Sequence, residues 1–310
     1  MPYSKFICPD KCEIPIEDCL KRCRLKGVIN PSTGQLYCPA DRCLSRRTLQ
    51  AIAQQREWNG KPSTTQLLNG TREVYLMLTH DYAVDPQNFV FALNGTKVHA
   101  NLEGNTDGNA ITEMRLDDGV STGAFDYFDE EASAKEGHGY LYDDKTYGSF
   151  KVANILGIYS VDVPTGTVYK TGAKKGKPKT RKEFRYDGAK DRLDLAIQLN
   201  DYRMKIEKCL GKTVDKMICE VLVRDGNTFM ATGRGVTQPS YLVPINRISD
   251  RWVSRYMKYK ADALLKALET KKMPPPCRYN ETWGGRKCMG YCAVSQYCDH
   301  YAELIERGKV

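Results

Sequence analysis

The sequence predicts an α/β fold, a central mixed sheet flanked by helices, with a Cys-rich extension at each end. Three observations predict it. Helix-like and strand-like patterns alternate between residues 61 and 250. Hydrophobic residues make up 41% of the 310 positions and aromatics 10%, enough to fill a packed core. Ten of the twelve cysteines crowd the ends, at Cys8, Cys12, Cys19, Cys23, Cys38 and Cys43, and at Cys277, Cys288, Cys292 and Cys298. The chain therefore divides into a head (1–60), a core (61–250) and a tail (251–310).

In the head, RCLSRRTLQAIAQQREW reads as a helix. The core opens with PSTTQLLNGTREVYLML, a helix for which Ser63 and Thr64 are the N-cap candidates. FALNGTKVHANLEG reads as another, with His99 and Glu103 one turn apart on one face. Two strand-like segments follow, VSTGAFDYFD and GYLYDDKTY, rich in aromatic and β-branched residues and separated by a polar turn. The run KTGAKKGKPKTRKEFR, Lys170 to Arg185, holds eight basic residues and one acid. Its Gly and Pro content predicts a mobile loop rather than a helix. AKDRLDLAIQLNDYRMKIEKCLG predicts a helix that puts Gln198 and Tyr202 on one face and stops at Gly211. VDKMICEVLVRD and TFMATGRG predict two strands joined by the turn DGN. The tail opens with a long amphipathic helix, DRWVSRYMKYKADALLKALETKK, stopped by three prolines.

No stretch approaches the ~20 apolar residues of a membrane-spanning helix, so no membrane partner is expected. The N-terminus MPYSKFICPDKC lacks the apolar region of a secretory signal. The three N-x-[ST] sequons at Asn69, Asn94 and Asn280 then read as chance, and an intracellular setting is expected. There, clustered cysteines point to metal rather than to disulfides, which argues against a secreted disulfide-rich protein. Cys209 and Cys219, alone in the middle, read as small core residues. The net charge of +9 is concentrated in the basic run, where Lys174, Lys175, Lys177, Lys179, Arg181 and Lys182 are the DNA-contacting candidates. The alternative is a solvated hairpin tip.

Hydrolysing a phosphodiester requires a divalent metal to bind the phosphate and activate a water, and a cation to stabilise developing charge. Asp126 and Asp143 lie on neighbouring predicted strands and offer the oxygen ligands that Mg²⁺ or Mn²⁺ prefers. Residues two apart on a strand share a face, so Asp143 and Lys145 point one way and Asp144 the other. Alone, D-x-K reads as a solvated strand end. Order gives it meaning. A helix with G-x-x-x-H (Gly95 to His99) precedes G-x-x-D (Gly123 to Asp126) on a strand. Asp143 and Lys145 follow on the next strand, and Q-x-x-x-Y (Gln198 to Tyr202) on a helix.

That ordered set resembles the PD-(D/E)XK nuclease superfamily, in the RecB and AddB branch that includes the iron–sulfur nuclease of CRISPR adaptation. GTKVHANLE is similar to the family's first motif, GAFDYFD to its second, YLYDDKT to its "DYKT" block and QLNDY to its last. The resemblance covers roughly residues 61 to 245. It implies a restriction-endonuclease-like core in which His99, Asp126 and Asp143 bind Mg²⁺ or Mn²⁺ and Lys145 is the catalytic lysine. Gln198 and Tyr202 would contact the substrate phosphate or orient that lysine. Glu103 either supports the site or faces solvent, and Tyr202 is alternatively a core aromatic. The implied substrate is DNA, cut by an exonuclease acting on single strands or ends. The implied setting is recombination, repair or phage replication, beside a helicase or recombination protein. The overall look is of a phage or prophage protein in a bacterial or infected-host cytoplasm.

The tail cysteines Cys277, Cys288, Cys292 and Cys298 are spaced C-x10-C-x3-C-x5-C and could hold zinc or a [4Fe–4S] cluster. The nuclease branch favours iron–sulfur: its members carry three closely spaced cysteines after the core and one before it, in a "CPR" block. This chain departs from that pattern, with x3 where x2 is usual, and with Gly70 and Thr71 ahead of Arg72 where Cys-Pro is expected. Cys277 is then the economical fourth ligand, with Cys43 or another head cysteine as the fallback. The head cysteines Cys8, Cys12, Cys19 and Cys23 are spaced C-x3-C-x6-C-x3-C, and Cys38 and Cys43 are spaced C-x4-C. Cys19 and Cys23 lie one helical turn apart. Six thiols exceed one tetrahedral site, so a zinc knot is expected whose ligand set stays open. The rival to a nuclease is a non-catalytic module that holds nucleic acid through the same basic loop and metal clusters.

Overall fold

The computed structural model describes residues 3–104, 110–186 and 193–307. Its elements run β1 (Lys5–Ile7), β2 (Glu13–Pro15), α1 (Ile16–Lys21), α2 (Arg46–Ala53), α3 (Thr64–Leu68), α4 (Thr71–Thr79), β3 (Ala83–Val84) and α5 (Val90–Glu103). They continue with β4 (Ala110–Thr112), β5 (Arg115–Asp117), β6 (Thr122–Ala124), β7 (Tyr127–Asp129), β8 (His138–Tyr147), α6 (Ser149–Leu156), β9 (Ile158–Val168) and β10 (Pro178–Tyr186). The last are α7 (Leu193–Leu210), β11 (Thr213–Val223), α8 (Phe229–Thr232), β12 (Ser240–Ile245), α9 (Asp250–Thr270) and α10 (Asp299–Glu306). The protein is mixed α/β. No described helix is long and apolar enough to cross a membrane.

Two compact units form. The first comprises Met1–Gly104, Leu116–Gly123 and Arg251–Val310; the second comprises Asn105–Arg115 and Ala124–Asp250. Both Cys-rich ends thus fall in the first unit, together with α3, α4 and α5. There a small sheet of order β2-β1-β3 packs on a core that includes Tyr3, Phe6, Leu49, Val74, Leu76 and Leu264. Ser63 starts α3 through a capping box with Gln66, each side chain accepting the other residue's backbone N–H.

The second unit is built on a five-stranded sheet of order β12-β11-β8-β7-β4. β8 and β11 run parallel in its middle, and the other neighbours are antiparallel. Leu141, Cys219 and Val221 are fully buried on these strands. α7 packs on β11 and β8 and carries charge into the interior, each cation paired: Lys205 with Asp201 at 2.6 Å, and Arg203 with Glu207 at 2.7 Å and with Asp250. Such pairing offsets the cost of desolvating a charge. Gly211, at φ +66°, ends α7 in the left-handed conformation expected of it.

The structure corrects several sequence expectations. The helix from residue 64 is two helices, α3 and α4, because Asn69 is extended at the end of α3 and Gly70 caps α4. The head helix is shorter and ends at Ala53. VSTGAFDYFD is broken into β6 and β7, leaving Asp126 in the gap rather than on a strand. TFMATGRG is not a strand. The Thr228 side chain accepts the Ala231 N–H and starts the short helix α8, and the strand that pairs with β11 is β12. A local cap outweighs β propensity there. The basic run is not a loop throughout, since half of it is β10, paired with β9 in a long antiparallel hairpin.

Candidate active site

The site in the second unit starts from the pleat of β8. Asp143 and Lys145 share a face, and the Lys145 Nζ lies 2.5 Å from the Asp143 Oδ2. Asp143 is only 1% exposed, so its charge needs partners. Besides Lys145 it accepts a hydrogen bond from the Gln198 Nε2 at 3.3 Å. Gln198 reaches it from α7 and also donates to the Tyr202 hydroxyl, one turn on, at 3.1 Å. Tyr202 is buried, so it serves both as a core aromatic and as the anchor for Gln198. Burial works against the charge on Lys145, yet the carboxylates of Asp143 and Asp126 outweigh it and hold its pKa well above the ordinary lysine value. Burial pushes the Tyr147 hydroxyl and the Cys219 thiol upward, so both are neutral at pH 7.

Asp126 is fixed through the backbone. Its Oδ2 accepts the Asp144 N–H at 2.7 Å, and its carbonyl accepts the Glu113 N–H at 3.0 Å. Asp144 therefore contributes its main chain, whatever its side chain does. Glu113 is an addition to the sequence candidates. Its carboxylate and that of Asp126 offer oxygens within 4.8 Å of one another. Glu113 sits at φ +47°, an uncommon conformation for a residue other than glycine. Nothing in its sequence context marks it, because only the fold carries it beside Asp126. Two close carboxylates offer the hard oxygen donors that suit Mg²⁺ or Mn²⁺. His99 and Glu103 lie in the first unit, on α5, with His99 half-buried and Glu103 exposed.

The basic candidates divide between two parts of the hairpin. Lys174, Lys175 and Lys177 are exposed at its tip, while Lys179, Arg181 and Lys182 lie on β10. Lys174 and Lys179 both lie over the Tyr169 ring, at 5.8 and 5.5 Å. Lys182 shares its face of the strand with Phe184, and Arg181 takes the other; Lys179 lies where the register shifts between Pro178 and Thr180.

In the first unit the tail cysteines gather at the start of α4. A Cβ on residue 70 would collide with the Cys277 sulfur, so the glycine leaves the room that Cys277 fills. Arg72 is buried, donates from Nη1 to the Cys298 sulfur at 3.7 Å and from Nε to the Pro274 carbonyl at 2.7 Å, and pairs with Asp299. Lys287 is also buried and pairs with Glu73 at 2.6 Å. Burial pushes the Cys292 thiol up to about 12, with Glu73 adding to the shift and Lys287 opposing it. Buried cations beside several thiols fit a thiolate-bound metal centre of net negative charge. Arg72 stands at the arginine position of the "CPR" block, whereas nothing in the sequence marks Lys287, since an isolated lysine carries no signal of burial.

No family model and no curated protein matches the chain. Among solved structures it is similar to SSO0001, whose crystal structure aligns with a TM-score of 0.37 and 13% identity. That alignment spans 82% of this chain and 92% of the other. Likeness of that degree carries no argument about function.

Proposed function

We propose that the protein is a Mg²⁺- or Mn²⁺-dependent deoxyribonuclease with a restriction-endonuclease-like core. The observation that carries this reading is the pairing of Lys145 with the buried Asp143, held by Gln198, with Asp126 fixed beside the same strand. Asp126, Asp143 and Glu113 would hold the metal, with His99 as the further ligand that the family resemblance implies. When bound, the metal supplies Lewis-acid stabilisation of the phosphate and activates the attacking water. Lys145 stays an ammonium beside two carboxylates, so its role is to donate hydrogen bonds to the phosphate rather than to remove a proton. Gln198 keeps the Asp143 carboxylate oriented. The β9–β10 hairpin would grip the DNA backbone, since its exposed cations gain from counterion release. Cys277, Cys288, Cys292 and Cys298 would hold a [4Fe–4S] cluster, with zinc as the alternative. Single strands or DNA ends are the expected substrates, processed in repair, recombination or phage replication.

The test is cleavage of labelled single- and double-stranded DNA, with either end blocked, in Mn²⁺ or Mg²⁺. Wild type should cut, and Asp143→Ala and Lys145→Ala should each lose at least about 100-fold in rate. Equal cutting by all three would remove the hydrolytic reading and leave a nucleic-acid-binding module.

A further inference from the structure

The head has too little apolar core to hold its own loop. From residue 22 to residue 45 the chain forms no helix or strand beyond one bridge between Ile29 and Leu36, and only Leu25 and Cys38 are buried. A structureless segment of that length in a folded unit needs a staple from outside the hydrophobic effect.

Polar contacts bring the cysteine-bearing segments together. Asp10 pairs with Arg24, and Lys26 pairs with Asp41 at 2.8 Å. Arg42 donates from Nη1 to the Cys19 carbonyl at 2.8 Å and from Nη2 to the Leu20 carbonyl at 3.3 Å. Exposed pairs of this kind add little stability, so they align the segments rather than hold them.

One turn occurs twice. In Cys8-Pro9-Asp10-Lys11, the Lys11 N–H donates to the Cys8 carbonyl at 2.8 Å and Lys11 has φ +68°. In Cys38-Pro39-Ala40-Asp41, the Asp41 N–H donates to the Cys38 carbonyl at 2.9 Å and Asp41 has φ +65°. Left-handed Lys and Asp are uncommon, and such turns persist where surrounding structure fixes them. The Cys38 sulfur lies 4.0 Å from that of Cys23. Zn–S bonds of about 2.3 Å in a tetrahedron set sulfurs about 3.8 Å apart. Burial pushes the Cys38 thiol up to about 12, and Cys23, Cys43 and Cys8 all add to the shift, so these sulfurs share one neighbourhood. Cys12 is exposed; Cys19 also lies near Cys43, Cys8 and Cys23, but it is fixed on α1 within the core cluster that holds Tyr3, Phe6, Leu49 and Ile52.

We propose that Cys8, Cys23, Cys38 and Cys43 form a single zinc site and that Cys12 and Cys19 stand outside it. Among the described residues no three cysteine sulfurs lie within 4.8 Å of one another. Coordination therefore draws Cys8 and Cys43 toward the Cys23–Cys38 pair, and all four lie outside helices and strands, where the chain can follow. Four S–H bonds give up protons to solvent as four Zn–S bonds form. The site is independent of the phosphodiester chemistry proposed above.

The experiment measures zinc, iron and acid-labile sulfide in the purified full-length chain. Cys8→Ser and Cys38→Ser should each carry one zinc per chain less than wild type, while Cys12→Ser and Cys19→Ala keep it. If Cys38→Ser does not fold, Co²⁺ loading of wild type, Cys12→Ser and Cys19→Ala supplies the reading. All three should show the same thiolate-to-cobalt charge-transfer and tetrahedral d–d bands. Zinc undiminished in Cys38→Ser, zinc or cobalt bands lost in Cys19→Ala, a wild type without zinc, or iron and sulfide lost from the head variants in place of zinc would overturn the proposal.

Discussion

At the scale of single residues, Lys145 has the most constrained role. Asp143 and Asp126 hold its pKa above the ordinary lysine value, against the opposing effect of burial. A raised cation contributes stability that is fully present below the unfolded lysine value of about 10.4 and is lost only as pH rises through the folded value. In the metal-free protein the Lys145 charge should therefore leave stability unchanged between pH 7 and about 10. Thermal denaturation in a chelator across that range checks this. A loss of stability near pH 8 that is absent in Lys145→Arg would show that Lys145 loses its proton far earlier. Gly70 is the other residue with a sharp consequence, since any side chain there meets the Cys277 sulfur. Gly70→Ala should destabilise the fold by about 1–3 kcal/mol through overpacking and lower the metal content of the tail. Thermal denaturation together with iron and zinc analysis reads both effects.

At the scale of elements, the β9–β10 hairpin is the part most separable from the chemistry. Its tip cations are exposed, and none of them takes part in the Asp143–Lys145–Gln198 contacts. Replacing Lys174, Lys175 and Lys177 together with alanine should lower the slope of log affinity against log salt by up to about 2.7, at about 0.9 for each phosphate left unneutralised. The cleavage rate at saturating DNA should stay near wild type; a large drop there would place the tip in catalysis instead. The elements also show what sequence reveals. β8, β11, α7 and α9 were legible because each is long and carries a period of burial over most of its length. β12 and α8 were not, because a four-residue helix started by Thr228 is decided by one side-chain hydrogen bond that no period records. β9 was hidden by its exposure, since a strand solvated along most of its length has no buried face to betray it. Within the site, Asp143, Lys145 and Gln198 were predicted and do meet, whereas Glu113 reaches Asp126 only through folding.

At the scale of the whole molecule, the two Cys-rich ends belong to one compact unit although nearly the whole sequence separates them. One apolar core joins them, with Tyr3, Phe6 and Leu49 of the head and Leu264, Ala267 and Val294 of the tail in the same cluster, and buried cations add ties between the tail and α4: Arg72 to Asp299 and Lys287 to Glu73. The position of Cys277 in the space beside Gly70 changes what a tail metal centre does for the chain. A centre with one ligand near residue 70 and three near residue 290 would close a ring of most of the protein. One held by Cys277, Cys288, Cys292 and Cys298 closes a ring of only 22 residues, counted from Cys277 to Cys298. Closing the shorter ring costs about 2 kcal/mol less, because loop entropy grows as (3/2)RT ln n. A metal bound by those four cysteines would then be acquired as a local event, before or without the union of the two ends. What joins those ends is left to the apolar core they share, so the thermodynamic tie between the start and finish of this chain is hydrophobic rather than metallic.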